Sequence, residues 1–430
     1  MTTSHVDTTP GNEEAPPTPE YRNPGTGFLI SLGFASVLLM GSLLSVGILT
    51  MPLQATAIDA DNSTTIISVA SMSAGVAALL CFPIVGRLSD RTTGPLGRRR
   101  PYLLAGAAFL LLGALLVLIA TSTAILSAGW TLMTIGQIAS YTALGSSVPD
   151  QFSPEKRGPA SALFGVAGVA GAVVGLWIAS LFEPQTTLMI MVPAVLGAIA
   201  LVVFAFVLKD DRLKKEGRPD FDVTSLPSTF WVNPVKHTNY ALAFASRFAV
   251  FCAIAAVNAY MAVYLIMGLH IDPLEVGGKV FLANLLSGGL SFLLANIAGK
   301  VSDKVNRRKP FVWASALLFT VGLVLIARAT SFNDFLLALI VMGIGQGIYL
   351  AVDFALITQV LPSKEDAAKD LGIMNLAASL PNILVPAVAP ALLAIGATAD
   401  NPQNFTVFFL AASVAGAVGA VLIAPIRGVR

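Results

Sequence analysis

GRLSDRTTGPLGRRRP, from Gly86 to Pro101, is the stretch whose reading decides the fold. It carries five arginines, Arg87, Arg91, Arg98, Arg99 and Arg100, around a single carboxylate, Asp90. The apolar segments on either side are each long enough to cross a bilayer, which needs about 20 residues. A loop this basic is costly to translocate, so it marks the cytoplasmic face of whatever membrane the chain sits in. A compressed version, GKVSDKVNRRKP, recurs from Gly299 to Pro310. The recurrence points to an internal repeat.

Composition agrees with lipid as the solvent. The 430 residues are 55% hydrophobic and only 12% charged, about half the charged share of an ordinary soluble domain. That argues against a soluble enzyme, and a net charge of +2 gives nucleic-acid binding no support. Cys81 and Cys252 fall in apolar runs, where a thiol packs as a small hydrophobe, and no disulfide is expected. His5, His237 and His270 lie outside those runs, and no cluster has the make-up of a metal site or a nucleophile with its base. Neither cofactor, metal nor enzymatic activity is expected. Met1 to Gly27 is polar and proline-rich, without a basic region leading into an apolar core, so it reads as a disordered cytoplasmic tail rather than a signal peptide.

Apolar segments of spanning length occur near 28–52, 65–86, 101–120, 124–148, 159–182 and 187–208, and again near 240–267, 276–299, 310–329, 334–361, 371–395 and 404–426. Pro381, Pro386 and Pro390 predict a bent or broken helix in the eleventh. Twelve crossings put both ends of the chain on one side. Lysine and arginine gather in alternate loops and acidic residues in the others, so both termini are expected in the cytoplasm, with the chain multi-pass in the cell membrane. Asp90 and Asp303 are 213 positions apart, and Gln137 and Gln346 are 209 apart. The spacing divides the chain into a tail, 1–27, a first bundle of six helices, 28–208, a cytoplasmic linker, 209–239, and a second bundle, 240–427.

Gly86, the Asp90-Arg91 pair and the Gly-Arg-Arg run resemble the signature loop after the second helix of major facilitator superfamily transporters. The resemblance covers residues 28–427. It implies an all-α integral membrane protein of twelve transmembrane helices in two pseudo-symmetric six-helix bundles, with the substrate between them near the midplane. It further implies that Gly86, Asp90, Arg91 and Arg98, and by the repeat Asp303 and Lys304, form a gate holding helix ends together when the pathway faces outward. The alternative is that these charges only set topology, although topology alone has no use for the aspartates. Thr92 to Leu96 lengthen the loop to the form that looks like sucrose carriers and glycoside–cation symporters. LPSKEDAAKDLGIMNLAASLPN, from Leu361 to Asn382, also resembles bacterial relatives of the sucrose carriers. The fourth segment departs from the plant carriers: its only ionisable group is Tyr141, where they place an acid and an arginine.

Charged groups within the bilayer are functional candidates, since each costs at least ~2.5 kcal/mol at the helix centre when unpaired. Arg247 in the seventh segment and Asp353 in the tenth lie at similar depths. Because those helices line the cavity in this family, the two are expected to face each other. A cation beside the carboxylate favours its ionised form and burial its neutral one, so parting the pair would favour protonation and couple a proton to transport. A permanent structural ion pair is the alternative. Gln137 and Tyr141, four apart, and Gln346, Tyr349 and Asp353, at 3–4 spacing, share helix faces. With Asn258, Tyr260 and Asn284 they are candidates for substrate hydroxyls, against interhelical packing as the alternative. The glycine run of the fifth segment reads as a packing surface. The function expected is import of a sugar or glycoside with a proton by a monomer in the lipid bilayer. The rival is proton-driven efflux of a drug or natural product, against which the missing Gly-Pro-x-x-Gly-Gly pattern of drug–proton antiporters counts.

Overall fold

The computed structural model describes residues 21–210, 236–305, 309–360, 367–398 and 402–426. Most of the expected tail and residues 211–235 of the expected linker lie outside these, as does the side chain of Asp303. Twelve helices take up the twelve apolar segments. The first six are α1 (Thr26–Ile58, through a π-helical turn at Val46–Thr50), α2 (Ser63–Arg91), α3 (Arg100–Leu118), α4 (Thr123–Gln151), α5 (Gly158–Ser180) and α6 (Thr186–Val207). The second six are α7 (Thr238–Gly268), α8 (Val276–Val305), α9 (Lys309–Arg328), α10 (Phe332–Val360), α11 and α12 (Phe405–Ile423). As the prolines predict, α11 comes in two pieces, Ala367–Ser379 and Pro381–Ala394. Eleven of the twelve are apolar enough to cross a membrane by composition alone; α4 is diluted by serine, threonine, glutamine and glycine but is 29 residues long and packs among the rest.

Helices α2 and α8 run five or six residues beyond the expected ends of their apolar segments, to Arg91 and Val305. Asp90 and Asp303 therefore sit on the last helical turn rather than in a loop. Hydropathy marks the hydrocarbon slab, whereas the backbone stays helical into the interface, where charged side chains remain hydrated.

The repeat is visible in the packing. Helices α4 and α10 begin and end 209 positions apart. In the first half α3 meets α4 where Gly106 lies against Gly136 and Ser140, and Gly113 against Met133. In the second half α9 meets α10 where Ser315 lies against Gly345, and Gly322 against Met342. Each of these contacts is the other moved by 209 residues. Small residues let the backbones approach, which drives helix association where lipid is as apolar as leucine.

Contacts between the bundles run chiefly through α2 with α11 and α5 with α8. They gather in the half away from the basic loops. Gly75 lies against Ile383 and Gly288 against Val169, Ser68 and Tyr260 share a hydrogen bond of 2.9 Å, and Gln403 Nε2 donates to the Asp61 carbonyl at 3.4 Å. Helix α2 buries Ser63, Ile66, Ile67, Ala70 and Ala74 in that half, but no residue from Gly75 to Leu88. Among the described residues, the contacts between the bundles lie in the half away from the basic face.

Candidate functional site

Arg247 and Asp353 are the only charged residues lying more than six positions from either end of a described helix. Arg247 is nine residues into α7 and Asp353 seven from the end of α10, depths of about 14 and 10 Å at helical rise. The structure brings them into direct contact, with an Arg247 Nη1 proton donated to Asp353 Oδ2 and side-chain exposures of 12% and 8%. Tyr349, one turn earlier on α10, lies beside the same carboxylate. The guanidinium lies 5.1 Å from the centre of the Phe251 ring, itself edge-on to Tyr349. Arg247 Nε is buried and has no hydrogen-bond partner. The arrangement holds one positive and one negative charge out of water, with a donor in reserve on the arginine.

The remaining polar candidates divide. Gln137 and Gln346 each sit 14 residues into their 29-residue helices and are half-buried. Tyr141 is half-buried and packs its ring on Phe164 at 4.4 Å, while Asn258 is exposed. Two are committed elsewhere in this conformation. Tyr260, expected beside the substrate, is fully buried in the half away from the basic face, its hydroxyl on Ser68 and its ring on Phe408. Asn284 donates to the Val280 carbonyl of its own helix at 2.9 Å. Asparagine and tyrosine have the same composition in a cavity wall and in an interhelical contact, which is why the sequence could not sort them.

The basic loop is organised by a residue that sequence reasoning passed over. Arg98 lies 3.3 Å from Asp90, but Arg99, whose side chain is only 4% exposed, lies 2.8 Å from both Asp90 and Asp150 and donates to Ser89 Oγ at 2.7 Å. Burial opposes its charge, but Asp150 and then Asp90 outweigh burial and leave its pKa above the ordinary arginine value. The N-terminus of α3 is capped from another helix. Asp210, just past α6, accepts from the Arg99 and Arg100 backbone N–H groups at 2.6 and 2.9 Å, and Arg100 returns to the Leu208 carbonyl at 2.6 Å. Gly97 turns the chain into this contact at φ +95°, and a Cβ there would stand 2.5 Å from the Asp210 carboxyl. The loop thus ties α2, α3, α4 and α6 within the first bundle. Gly86 has nothing within 4 Å of where a Cβ would lie, and Lys304 is exposed. Gly97→Ala and Asp210→Ala are each expected to lower stability by about 0.5–2 kcal/mol, the worth of an N-terminal cap. Thermal unfolding in detergent checks this: the double variant should lose little more than either single one, because both break one contact.

Comparison with known proteins places this geometry. A family profile described as Major Facilitator Superfamily matches residues 29–298 and 290–429. Among solved structures, the nucleoside transporter NupG superposes with a TM-score of 0.73 at 14% identity, over 94% of this chain and 100% of that one. The peptide transporter POT in complex with sulfate gives 0.70 at 15% identity, over 94% of this chain and 96% of that one. Among curated relatives, Multidrug resistance protein MdtL of Citrobacter koseri is 33% identical over 119 residues, and that of a Shewanella species 32%. Those matches cover 28% of this chain and 27% of the length of the relatives. Two repeated bundles, and a family profile that matches both halves, establish that the chain belongs to the Major Facilitator Superfamily: it is a membrane transporter, not an enzyme.

Proposed function

We propose that this transporter imports a neutral, polyhydroxylated solute, a sugar or glycoside, together with a proton. The bundles 28–208 and 240–427 rock about the space between them, and both termini face the cytoplasm. The observation that carries the proton is the Arg247–Asp353–Tyr349 cluster, since no other charge lies so deep on a described helix. Transport links to a proton if the outward-facing state parts the pair, leaving a buried carboxylate that is cheaper neutral than charged. For the solute, Gln137, Tyr141, Asn258 and Gln346 offer amides and a hydroxyl, and the long Thr92–Leu96 link resembles that of sucrose carriers and glycoside–cation symporters. The gate residues Gly86, Asp90, Arg91, Arg98, Asp303 and Lys304 hold the basic face shut in that other state. For Gly86, this gives a use in that other state to a position where an added Cβ meets nothing within 4 Å in this one. A second reading, proton-driven efflux, is favoured by the local similarity to multidrug resistance proteins.

Proteoliposomes separate the two. An inward-directed proton gradient should drive accumulation of a radiolabelled disaccharide or aryl glycoside, abolished by a protonophore. Saturable uptake that ignored the protonophore would refute symport. Extrusion of a lipophilic dye, with no sugar uptake, would establish efflux instead.

A further inference from the structure

We propose that Glu183 is the latch that shuts the pathway on the face opposite the basic loops, by seating its carboxylate on the N-terminus of α8. Glu183 lies in the turn between α5 and α6 of the first bundle, and α8 opens the contact surface of the second. Its Oε1 accepts from the Gly277 backbone N–H at 2.6 Å and its Oε2 from that of Gly278 at 3.0 Å. The first N–H groups of a helix have no partner within it and carry the positive end of its dipole, so a carboxylate there makes two charge-assisted bonds. Gly277 makes room: a Cβ at that position would stand 3.0 Å from the Glu183 carboxyl. The neighbouring charges do not compete, since Lys279 is paired with Glu275 at 2.6 Å and Asp272 accepts from the Leu274 N–H at 2.9 Å.

The repeat sharpens the assignment. Turning the molecule about its pseudo-axis carries the α5–α6 turn onto the α11–α12 turn, where Gln403 reaches across to the Asp61 carbonyl. That contact is neutral and 3.4 Å long, so the two related clasps are unequal. Among the described residues Glu183 is the one carboxylate bridging the bundles on this face, alongside the uncharged Ser68–Tyr260 bond. Opening the face must pull Glu183 off α8, so this contact weights the equilibrium between the two open forms. The latch rests on the bundles moving, and not on the identity of the solute.

Spin labels at Thr121→Cys and Thr330→Cys, in the exposed turns before α4 and α10, in a Cys81→Ser, Cys252→Ser background, report the opening by double electron–electron resonance in nanodiscs. Glu183→Ala is expected to raise the population with the longer separation about tenfold or more, the effect of losing hydrogen bonds to a charged group. Gly277→Val, which fills the seat from the other bundle, should shift it the same way, and it reads the same contact if Glu183→Ala does not fold. Gln403→Ala should shift it much less. A merely structural role would lower the melting temperature without moving the distances. Distances in Glu183→Ala and Gly277→Val equal to the parent's would overturn the latch, and unchanged uptake in those variants would leave the transport reading standing.

Discussion

Arg247→Ala is expected to leave little folded transporter, with a loss of about 3–5 kcal/mol, whereas Arg247→Ala combined with Asp353→Asn should recover most of it. The first change removes the cation paired with a carboxylate that is 8% exposed and has Tyr349 beside it. A buried charge without its partner keeps the whole desolvation penalty, while removing both charges discards penalty and attraction together. Melting temperature and yield in mild detergent test the stability half. Asp353→Asn alone should also destabilise, since it strands the guanidinium, although Phe251 retains a cation–π contact at 5.1 Å. The double variant then tests function in a folded protein. Solute exchange without a gradient should survive in it, and accumulation driven by a proton gradient should fall at least about tenfold, as when a coupling step is lost. Accumulation at the parental level would show that the pair is only structural.

Gly175→Val should be the next most damaging change, and Gly168→Val, seven residues away on the same helix, nearly silent. A Cβ at Gly175 would stand 2.1 Å from the Gly41 carbonyl oxygen, and one at Gly171 2.6 Å from Met40 Cβ, so α5 and α1 touch backbone to backbone. Backbone cannot rotate out of the way as a side-chain tip can. Overpacking of this kind costs about 1–3 kcal/mol, and here it also separates two helices whose association depends on close approach. At Gly168, by contrast, a Cβ meets nothing within 4 Å. Expression and monodispersity on size-exclusion chromatography distinguish the two variants. Equal loss for both would mean that the glycines act through the helix backbone and not through the α1–α5 contact.

These two cases show how far the chain could be read before it was folded. The glycine run of α5 announced a packing surface, yet its three- and four-residue spacings leave the phase open. Only the fold shows that Gly171 and Gly175 face α1 while Gly165 and Gly168 face open space. The spans, the repeat and the basic face were legible because each rests on a sum over neighbouring residues: about 20 apolar side chains make a crossing, and clustered arginines resist translocation wherever they point. The depths of Arg247 and Asp353 were legible for the same reason, since depth is a count along a helix.

The partners of the charged residues were not legible. Nothing local distinguishes Arg98 from Arg99; the difference is that Arg99 points inward to Asp150, 51 positions on, while Asp210, 111 positions on, holds its backbone N–H. The same holds for Tyr260, whose ring sits between helices of different bundles rather than beside the solute path. The sequence by itself determined that this protein is a doubled bundle of membrane helices with one basic face, because those properties add up residue by residue. Only the tertiary structure decided which carboxylate meets which donor and in which half the bundles touch. A side chain's partner depends on distant segments arriving together.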